Sequence, residues 1–307
     1  MKKISVVLPV YNGSRTIAKA VDSVLSQTYK NLELIIVNDC SSDNTLEIIK
    51  ELATKDDRIK IHNNEYNMKL PISLNNGFEL ATGEYYTWTS DDNVYKENAL
   101  EVLANVLNSN EDVDLVYSDF NMIEMDGSIR SVEKKAEPEM LKYINCVGAC
   151  FMYRKTLADK IGVYDPEMFL AEDYEYWIRA YLNGKLMHIT DNLYDYGWHD
   201  KSLTVTRRGE IAHKTFEAKD KHLKELYLKC RNDEEKIRFF YDLLDELNDD
   251  KEKKKNEKRY FKMCRVFKKC ELSKRKKEKQ EIARENRLRI KAKWVHRIKR
   301  VIKWFLK

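Results

Sequence analysis

Glycine and proline are scarce in this sequence, which has nine glycines and four prolines in 307 residues. The turn after the first apolar run reads Tyr11-Asn12-Gly13 and lacks the GxGxxG pattern. That pattern lets a backbone approach a pyrophosphate at a helix N-terminus. A dinucleotide-type phosphate cradle is therefore not expected, and the charge of any bound phosphate must be met in another way.

Paired cysteines and long apolar runs are also missing. The six cysteines form no CxxC pair, which argues against a zinc site or a disulfide scaffold and favours free thiols in a reducing cytosol. No apolar run reaches the ~18–20 residues of a membrane-spanning helix. The first apolar run, 4–10, is short for a signal sequence, and no small-residue cleavage site follows it. We expect a cytoplasmic protein that does not cross the membrane.

Charge is abundant but unevenly distributed along the chain. Residues 251–307 contain 25 Lys and Arg against 6 Asp and Glu, whereas residues 1–250 contain 31 basic and 45 acidic residues. The net charge of +5 therefore combines an acidic body with a strongly basic tail. Such asymmetry indicates an anionic partner for the tail, either a membrane or a nucleic acid.

Apolar strand and helix patterns alternate from the start of the chain. Buried strands are predicted at 4–10, 32–37, 58–62, 85–89 and 114–118. Helices are predicted to begin after Ser14, after an Asn44/Glu47 capping box, at Pro71 and near Lys96. This alternation predicts an α/β fold with a mostly parallel sheet flanked by helices.

Polar residues follow several of these strands at the point where each strand ends. Tyr11 and Asn12 follow the first strand, Asp39 the second, and Asp91 with Asp92 the fourth. Ligands of open α/β sheets bind outside the carboxyl ends of the strands. Adjacent carboxylates there suit Mg²⁺ or Mn²⁺ carrying substrate phosphates, although helix capping is the ordinary alternative for Asp91 and Asp92, as an Asx turn is for Asp39. Their convergence favours a nucleotide site.

Two further candidates lie later in the chain. Asp173 precedes or begins a helix with aromatic neighbours, so it can be a general base for a sugar hydroxyl or a plain N-cap. His199 lies in a polar loop, where it can ligate the ion or simply be solvated.

The combined motifs resemble the family 2 glycosyltransferases of the GT-A fold. The matching stretches, in order, are VVLPVYNG (6–13), VNDCSSDNT (37–45), NNGFELATGEY (75–85), TSDDN (89–93), AED (171–173) and WHDKSLT (198–204). The resemblance implies a GT-A, Rossmann-like α/β domain, a nucleotide-diphosphate-sugar donor, commonly uridine-linked, a divalent metal and inverting sugar transfer.

The resemblance also assigns roles to residues. It implies that Pro9, Tyr11 and Asp39 hold the nucleoside, that Asp91 contacts the ribose or metal region, and that Asp92 ligates Mn²⁺ or Mg²⁺. It makes Asp173 the base. The remaining predicted contacts are Asn12, Lys69 and Glu172 for the nucleotide sugar, and His199 for the metal.

The chain departs from the family pattern at four positions. Thr89 stands where many members have an acid, and Leu74 where many have a phosphate-binding Arg, for which Lys69 is the expected substitute. Cys40 replaces a common Gly, and Gly197 an Arg. These differences concern the diphosphate contacts more than the fold.

The chain is predicted to divide into a glycosyltransferase domain, 1–208, an α-helical extension, 209–250, and a basic tail, 251–307, that begins with a charged link at 251–258. Within 294–307, apolar residues share one helical face and basic residues the other, which is typical of a helix lying on an anionic membrane. The alternatives are docking on its own domain or on another subunit, which allows a homo-oligomer through the C-terminal helices. Nucleic acid is not expected, because no recognised binding module is present.

We therefore predict an inverting, metal-dependent, hexosyl-type glycosyltransferase at the inner face of the cell membrane. It would move a sugar from a UDP-sugar to a glycan or lipid-linked glycan in cell-surface polysaccharide synthesis. A nucleotidyltransferase is the enzymatic alternative, and a non-catalytic nucleotide-sugar-binding or membrane-associated protein is the other.

Overall fold

The computed structural model describes residues 1–124, 126–200, 202–265, 268–269, 272–274, 276–277, 279–281 and 284. The chain forms two compact units, Met1–Lys229 and Cys230–Lys307. The division at 229/230 lies 21 residues beyond the first domain boundary proposed from the sequence.

The first unit contains a nine-stranded sheet. Its strands are β1 Ile4–Val10, β2 Leu32–Asn38, β3 Ile59–Asn63, β4 Tyr85–Trp88, β5 Val94–Tyr95, β6 Leu115–Ile123, β7 Ile129–Glu133, β8 Phe151–Arg154 and β9 Leu186–Gly197. The described helices of the chain are α1 Ile17–Leu25, α2 Thr45–Lys55, α3 Lys69–Glu79, α4 Ala99–Ser109, α5 Lys155–Ile161, α6 Glu172–Asn183, α7 Leu203–Thr206, α8 Arg208–Lys221, α9 Leu223–Leu228, α10 Asp233–Asp245 and α11 Asp250–Met263. Two short 3₁₀ helices, Pro138–Lys142 and Pro166–Met168, precede β8 and α6.

The sheet order is β3-β2-β1-β4-β8-β6-β9-β5, with β7 paired to β6. The four strands β3, β2, β1 and β4 are parallel, as predicted. Beyond β4 the sheet is mixed, because β8 runs antiparallel to both β4 and β6, while β9 is parallel to β6. The predicted fold class is confirmed, with its parallel pairing concentrated in the N-terminal half.

The core explains why the first two strands read as continuous apolar runs. Every residue of β1 and β2 is buried. Side chains at alternate positions of β1, beginning with Ile4 and Val6, pack with the apolar faces of α1 and α4. Burial of one such aliphatic side chain contributes about 1.5–3 kcal/mol, so these helices hold the sheet edge that carries the candidate site.

Pro9 lies in a central strand without breaking it. In β1 the odd-numbered residues pair with β4, since Tyr85 N donates to Lys3 O and Thr89 N to Val7 O. Pro9 would be the next odd-numbered residue to donate to β4, but β4 ends at Trp88. The missing N–H of Pro9 therefore costs no hydrogen bond to β4. A proline is thus tolerated at the carboxyl end of the strand, where the sheet opens.

The predicted starts of α1 and α3 are wrong, whereas α2 begins at Thr45 as predicted. α1 begins at Ile17 rather than after Ser14, whose N–H donates to Asp43. α2 has no Asn44/Glu47 capping box, because the Asp43 carboxylate accepts from Thr45 instead.

The third of these helices, α3, begins at Lys69, two residues before Pro71. The Asp39 carboxylate, 30 residues earlier in the chain, accepts from the Lys69 N–H. The helix predicted near Lys96 also begins later, at Ala99, after the short strand β5.

The described part of the second unit consists of helices. α10 begins at Asp233 and is capped by Asn232, whose side chain accepts from the Glu235 N–H. Phe240 of α10 stacks on Tyr260 of α11 with ring centroids 4.7 Å apart. The predicted charged link at 251–258 is wrong, since those residues form part of α11.

Within the residues that the structure describes, no helix is both long enough and apolar enough to span a bilayer. The amphipathic segment 294–307 lies outside the described residues.

Candidate active site

The candidate site lies along the carboxyl ends of the parallel strands. Asp39 follows β2, Tyr11 follows β1, and Asp91 with Asp92 follows β4. β1 pairs with both neighbours, and paired strands are about 4.8 Å apart, so two strand spacings of about 10 Å separate the Asp39 end from the Asp91 end. The predicted convergence of these residues at one sheet edge is present.

Asp39 is buried and its carboxylate is already bonded to protein donors. Oδ1 accepts from Asn64 Nδ2 at 2.8 Å and from Met68 N at 2.7 Å, and Oδ2 accepts from Lys69 N at 2.9 Å. A carboxylate has about four lone-pair sites. Asp39 therefore fixes the start of α3 and retains capacity for about one further donor, such as a base N–H.

Tyr11 and Asn12 differ in what they can offer a ligand. Tyr11 is 52% exposed, so its ring is open for stacking on a base. Asn12 has a left-handed backbone (φ 56°), and its Oδ1 accepts from Ser42 N at 2.8 Å. Its own N–H donates to Ser41 Oγ at 3.0 Å. Asn12 thus fastens the β1–α1 turn to the β2–α2 loop.

Asp91 points toward the β1–α1 turn. Its Oδ2 accepts from Thr16 Oγ1 at 2.6 Å. A Cβ on Gly13 would lie 2.3 Å from the same oxygen, so only glycine allows this approach. Burial raises the pKa of Asp91 to about 6, the Thr16 hydrogen bond opposes that rise, and the charge of Asp92 adds to it.

Asp92 faces His199, the other predicted metal ligand. His199 Nε2 lies 3.3 Å from Asp92 Oδ2. Burial raises the pKa of Asp92, and the hydrogen bond from His199 opposes that rise. Gly197 is required beside them, because a Cβ there would lie 2.5 Å from the Asp92 carbonyl oxygen. This contact explains why the chain has no larger residue at 197.

The donor set fits a divalent ion that is shared with a ligand. Within the described part of the chain, no three His, Cys, Asp or Glu side chains form a group that could hold a metal alone. Mg²⁺ characteristically takes one or two carboxylates and completes its shell with phosphates and water. Asp92 and His199 offer a carboxylate and an imidazole as candidate ligands, and burial disfavours negative charge on both Asp91 and Asp92. A cation would relieve that cost.

Lys69 is exposed, begins α3 and has a left-handed backbone (φ 70°). Its Nζ makes no hydrogen bond or ion pair within the part of the chain that the structure describes, so it is available to an anion. Leu74, at the position of the expected Arg, is fully buried in α3. Of these two residues, only Lys69 therefore remains a candidate for phosphate contact.

Glu172 and Asp173 are the first two residues of α6. Asn145 Nδ2 donates to Asp173 Oδ2 at 2.8 Å, and Tyr174 N donates to Oδ1 at 2.7 Å. Glu172 accepts from Leu170 N at 2.7 Å. Burial raises the pKa of Glu172 to about 8, and the charge of Asp173 contributes. Burial also raises the pKa of Asp173.

Tyr196 of β9 connects the two groups of acids. Burial raises the pKa of its hydroxyl, and the charges of Asp92 and Asp173 both raise it further. Both acids therefore act electrostatically on the same phenol, which favours one site for the predicted metal residues and the predicted base.

Sequence reasoning missed several residues at this site. Thr16, Gly13 and Asn64 were not predicted at the site. Of these three, only Gly13 lies in a stretch that matches the family, VVLPVYNG (6–13). Asn145 comes from the non-periodic segment between β7 and β8, so no spacing marked it. The signal that could have found Asn145 was Asp173 itself, because an acid without a local capping side chain requires a donor from elsewhere in the chain.

Comparison with known proteins follows this geometry. Residues 5–162 match the family model described as Glycosyl transferase family 2. An uncharacterized glycosyltransferase of Rickettsia typhi is 32% identical over 220 residues, which cover 68% of this chain and 68% of that protein. This chain belongs to glycosyl transferase family 2. The putative glycosyltransferase EpsE of Bacillus subtilis is 43% identical over 100 residues, 32% of this chain and 36% of that protein.

The family's fold is also found among solved structures. S. aureus TarS 1–349 in complex with UDP-GlcNAc matches with a TM-score of 0.58 and 20% identity, covering 80% of this chain and 81% of that one. At this level of identity the likeness shows the fold alone. The GT-A type of fold and the class of enzyme, a glycosyltransferase, are confirmed, which decides between the two enzyme classes that the sequence left open.

Two departures from the family 2 pattern have structural reasons. Thr89 is buried, and its Oγ1 lies 2.6 Å from the Tyr194 hydroxyl, so an acid there would place a charge in the core. Cys40 has a left-handed backbone (φ 59°), the conformation for which the more common glycine is suited.

Proposed function

We propose that this family 2 glycosyltransferase moves a sugar, with inversion, from a UDP-sugar to a hydroxyl of a glycan or lipid-linked glycan in cell-surface polysaccharide synthesis. The observation that carries the proposal is the contact between His199 Nε2 and Asp92 Oδ2, 3.3 Å apart, beside the acids at the carboxyl ends of the parallel strands. The action of the Asp173 charge on Tyr196 of β9 supports a base near this candidate diphosphate site.

The donor is inferred from the sheet edge and from the solved structures. Crystal structures of TarS contain UDP and UDP-GlcNAc, which supports a uridine-linked donor for this chain. Tyr11 is exposed for stacking, Asp39 retains acceptor capacity, and Lys69 is open to a phosphate. Pro9 is the penultimate residue of β1, the strand that leads to this surface. These residues would hold the nucleotide.

The transfer would be a single displacement. Asp173 takes the proton of the acceptor hydroxyl as that oxygen attacks the anomeric carbon from the face opposite the diphosphate. The bond between the anomeric carbon and the diphosphate oxygen breaks, and its electron pair leaves with UDP. Because burial raises the pKa of Asp173, its carboxylate is a stronger base than an exposed aspartate. Attack from the opposite face inverts the configuration.

Asp92 and His199 would hold Mn²⁺ or Mg²⁺. When bound, such an ion stabilises the negative charge that develops on the departing diphosphate. Asp91, whose carboxylate is held by Thr16, would stand beside the ribose or the ion. Glu172 would border the transferred sugar.

The tail would determine where the enzyme works. Its excess of basic residues and the two-faced pattern of 294–307 support attachment to an anionic membrane at the cytoplasmic side. The alternative to membrane attachment is docking of the C-terminal helices on a second copy of the chain. Binding of the full chain to vesicles with and without anionic lipid separates the two.

The experiment that tests the function starts with the wild-type chain. UDP-, dTDP- and GDP-sugars are screened by thermal shift with Mn²⁺, because a ligand that binds the folded state raises its stability. Release of UDP from the best donor is then measured for the wild type and Asp173→Asn. We expect transfer to fall by roughly 10²–10⁴ while donor binding persists. Retained turnover would remove Asp173 from the role of base, and donor binding without any wild-type turnover would favour the non-catalytic alternative.

A further inference from the structure

The segment 134–147, between β7 and β8, is fastened to the first unit at several points. Lys135 N donates to Asp119 Oδ1 at 2.8 Å, and the Tyr117 hydroxyl donates to Ala136 O at 2.6 Å. On α6, the Tyr174 hydroxyl donates to Leu141 O at 2.8 Å. Both ends of this segment are therefore held in place, and each end carries a residue that acts on Asp173.

Asn145 acts on Asp173 by direct contact. Its Nδ2 donates to Asp173 Oδ2 at 2.8 Å. The reverse orientation of the amide would set two acceptor oxygens against each other, so the chemistry fixes the assignment. The Asn145 Oδ1 is buried and has no hydrogen-bond partner among the described residues. The side chain thus leaves one of its own groups unpaired while it donates to the carboxylate.

Lys135 acts on Asp173 through its charge. Its side chain is half-buried, with Nζ 5.2 Å from the centre of the Phe120 ring and no ion pair within the described part of the chain. Burial lowers the pKa of Lys135, and the charges of Cys146, Glu133, Asp119 and Asp173 oppose that fall. Conversely, burial raises the pKa of Asp173, and the positive charge of Lys135 opposes that rise.

Other groups face the same pair of acids. Glu172 is adjacent to Asp173 on α6. Burial raises the pKa values of Tyr196 on β9 and of Tyr164, and the charge of Asp173 raises both further. These neighbours disfavour a second negative charge. Asp173 accepts hydrogen bonds from Asn145 Nδ2 and Tyr174 N, whereas Glu172 accepts one from Leu170 N, so these contacts favour the negative charge on Asp173.

We propose that Asn145 is a positioning residue for the base, which turns the Asp173 carboxylate through its hydrogen bond and favours the ionised form, and that Lys135 assists through its charge. The proposal rests on the proposed function of Asp173. It assigns a task to a segment that no family motif covers, and it predicts which of two adjacent buried acids is charged.

The test is a titration of the full chain labelled with ¹³C at the aspartate carboxyls. The signal of Asp173 is identified by its loss in Asp173→Asn. We expect Asn145→Ala to raise the apparent pKa of Asp173 by about one to two units, the equivalent of one hydrogen bond to a charged group. Lys135→Met is expected to raise it by about one unit, and Lys135→Arg to leave it unchanged, because the charge is kept.

Lys134→Met is the matched control, since it removes the same charge from an exposed neighbouring position and is expected to cause no shift. In UDP-release assays, the acidic limb of the pH profile should move to higher pH by the same amount in Asn145→Ala and Lys135→Met. A merely structural role would lower activity at every pH without moving that limb.

An unchanged Asp173 titration in Lys135→Met would overturn the charge part of the proposal, even if Asn145→Ala failed to fold. The outcome is separable from that of the proposed function. Turnover by Asp173→Asn would remove the base, whereas an inactive Asp173→Asn with unshifted titrations in the other variants would remove only the positioning roles.

Discussion

The two ends of the candidate site satisfy their carboxylates differently. At the end formed by β1 and β2, Asp39 accepts three hydrogen bonds from Asn64, Met68 and Lys69. At the other end, Asp92 has one side-chain partner among the residues that the structure describes, His199 at 3.3 Å, and burial raises the pKa of Asp92. The carboxylate at the first end is already paired with protein donors, whereas the carboxylate at the second end has unpaired negative charge that a bound ligand or ion can neutralise. That difference suits binding at one end and reaction at the other.

The largest expected effect concerns the reacting end. Asp92→Asn removes the charge of one proposed ion ligand, and we expect turnover to fall by about 10²–10³, the effect typical of losing one group that stabilises developing charge. The thermal shift caused by Mn²⁺ alone should also disappear. Asp22→Asn, an exposed change on α1, is the control. A normal Mn²⁺ shift in Asp92→Asn would show that the ion is held elsewhere.

A smaller effect is expected at the binding end. Asp39→Asn sets an amide N–H₂ against backbone donors, which should lower the free energy of unfolding by about 2–3 kcal/mol. Urea denaturation measures this loss, with Asp22→Asn again as the reference. Unfolding unchanged within error would mean that Asp39 does not hold the start of α3.

The third effect depends on pH. Burial raises the folded-state pKa of Glu172 from the ordinary 4.5 to about 8, so the folded state holds this proton more tightly and wild-type stability falls as pH rises from 4.5 through 8. Glu172→Gln should remove that fall and stabilise the protein at pH 8 by on the order of 2 kcal/mol. Thermal unfolding at pH 5 and 8 measures it. The exposed Glu167→Gln should behave like wild type at both values.

The smallest effect concerns the β2–α2 loop at the binding end. Cys40→Gly relieves a left-handed backbone and should stabilise the chain by about 0.5–1 kcal/mol. Cys40→Ala keeps the strain and serves as the control, because it removes only the thiol. Equal stability of the two variants in urea would contradict strain at this position.

Features set by neighbouring residues could be predicted from the sequence, whereas features set by distant residues could not. The parallel strands were recognisable because β1 and β2 are apolar along their whole length, and the acids that follow β2 and β4 could be located by counting from them. The start of α3 could not be predicted, since its cap, Asp39, is 30 residues away. Lys251–258 was mistaken for a link because its charges hid an otherwise regular helix, α11.

The reacting end was only partly predictable for the same reason. Asp173 and His199 lie in motifs, so their residue types indicated chemistry. Asn145 lies in a segment with neither periodicity nor a motif, and tertiary packing alone brings its side chain to Asp173. Local patterns identify the candidate reacting groups, whereas their hydrogen-bond partners are placed by the fold.

The most direct measurement compares Asp39→Asn with Asp173→Asn, using calorimetric UDP binding with Mn²⁺ and UDP release from the best donor. If one end binds and the other reacts, Asp39→Asn weakens UDP binding and retains turnover at saturating donor, while Asp173→Asn binds UDP normally and has lost turnover. Equal losses of binding and turnover in both variants would contradict the division of the site.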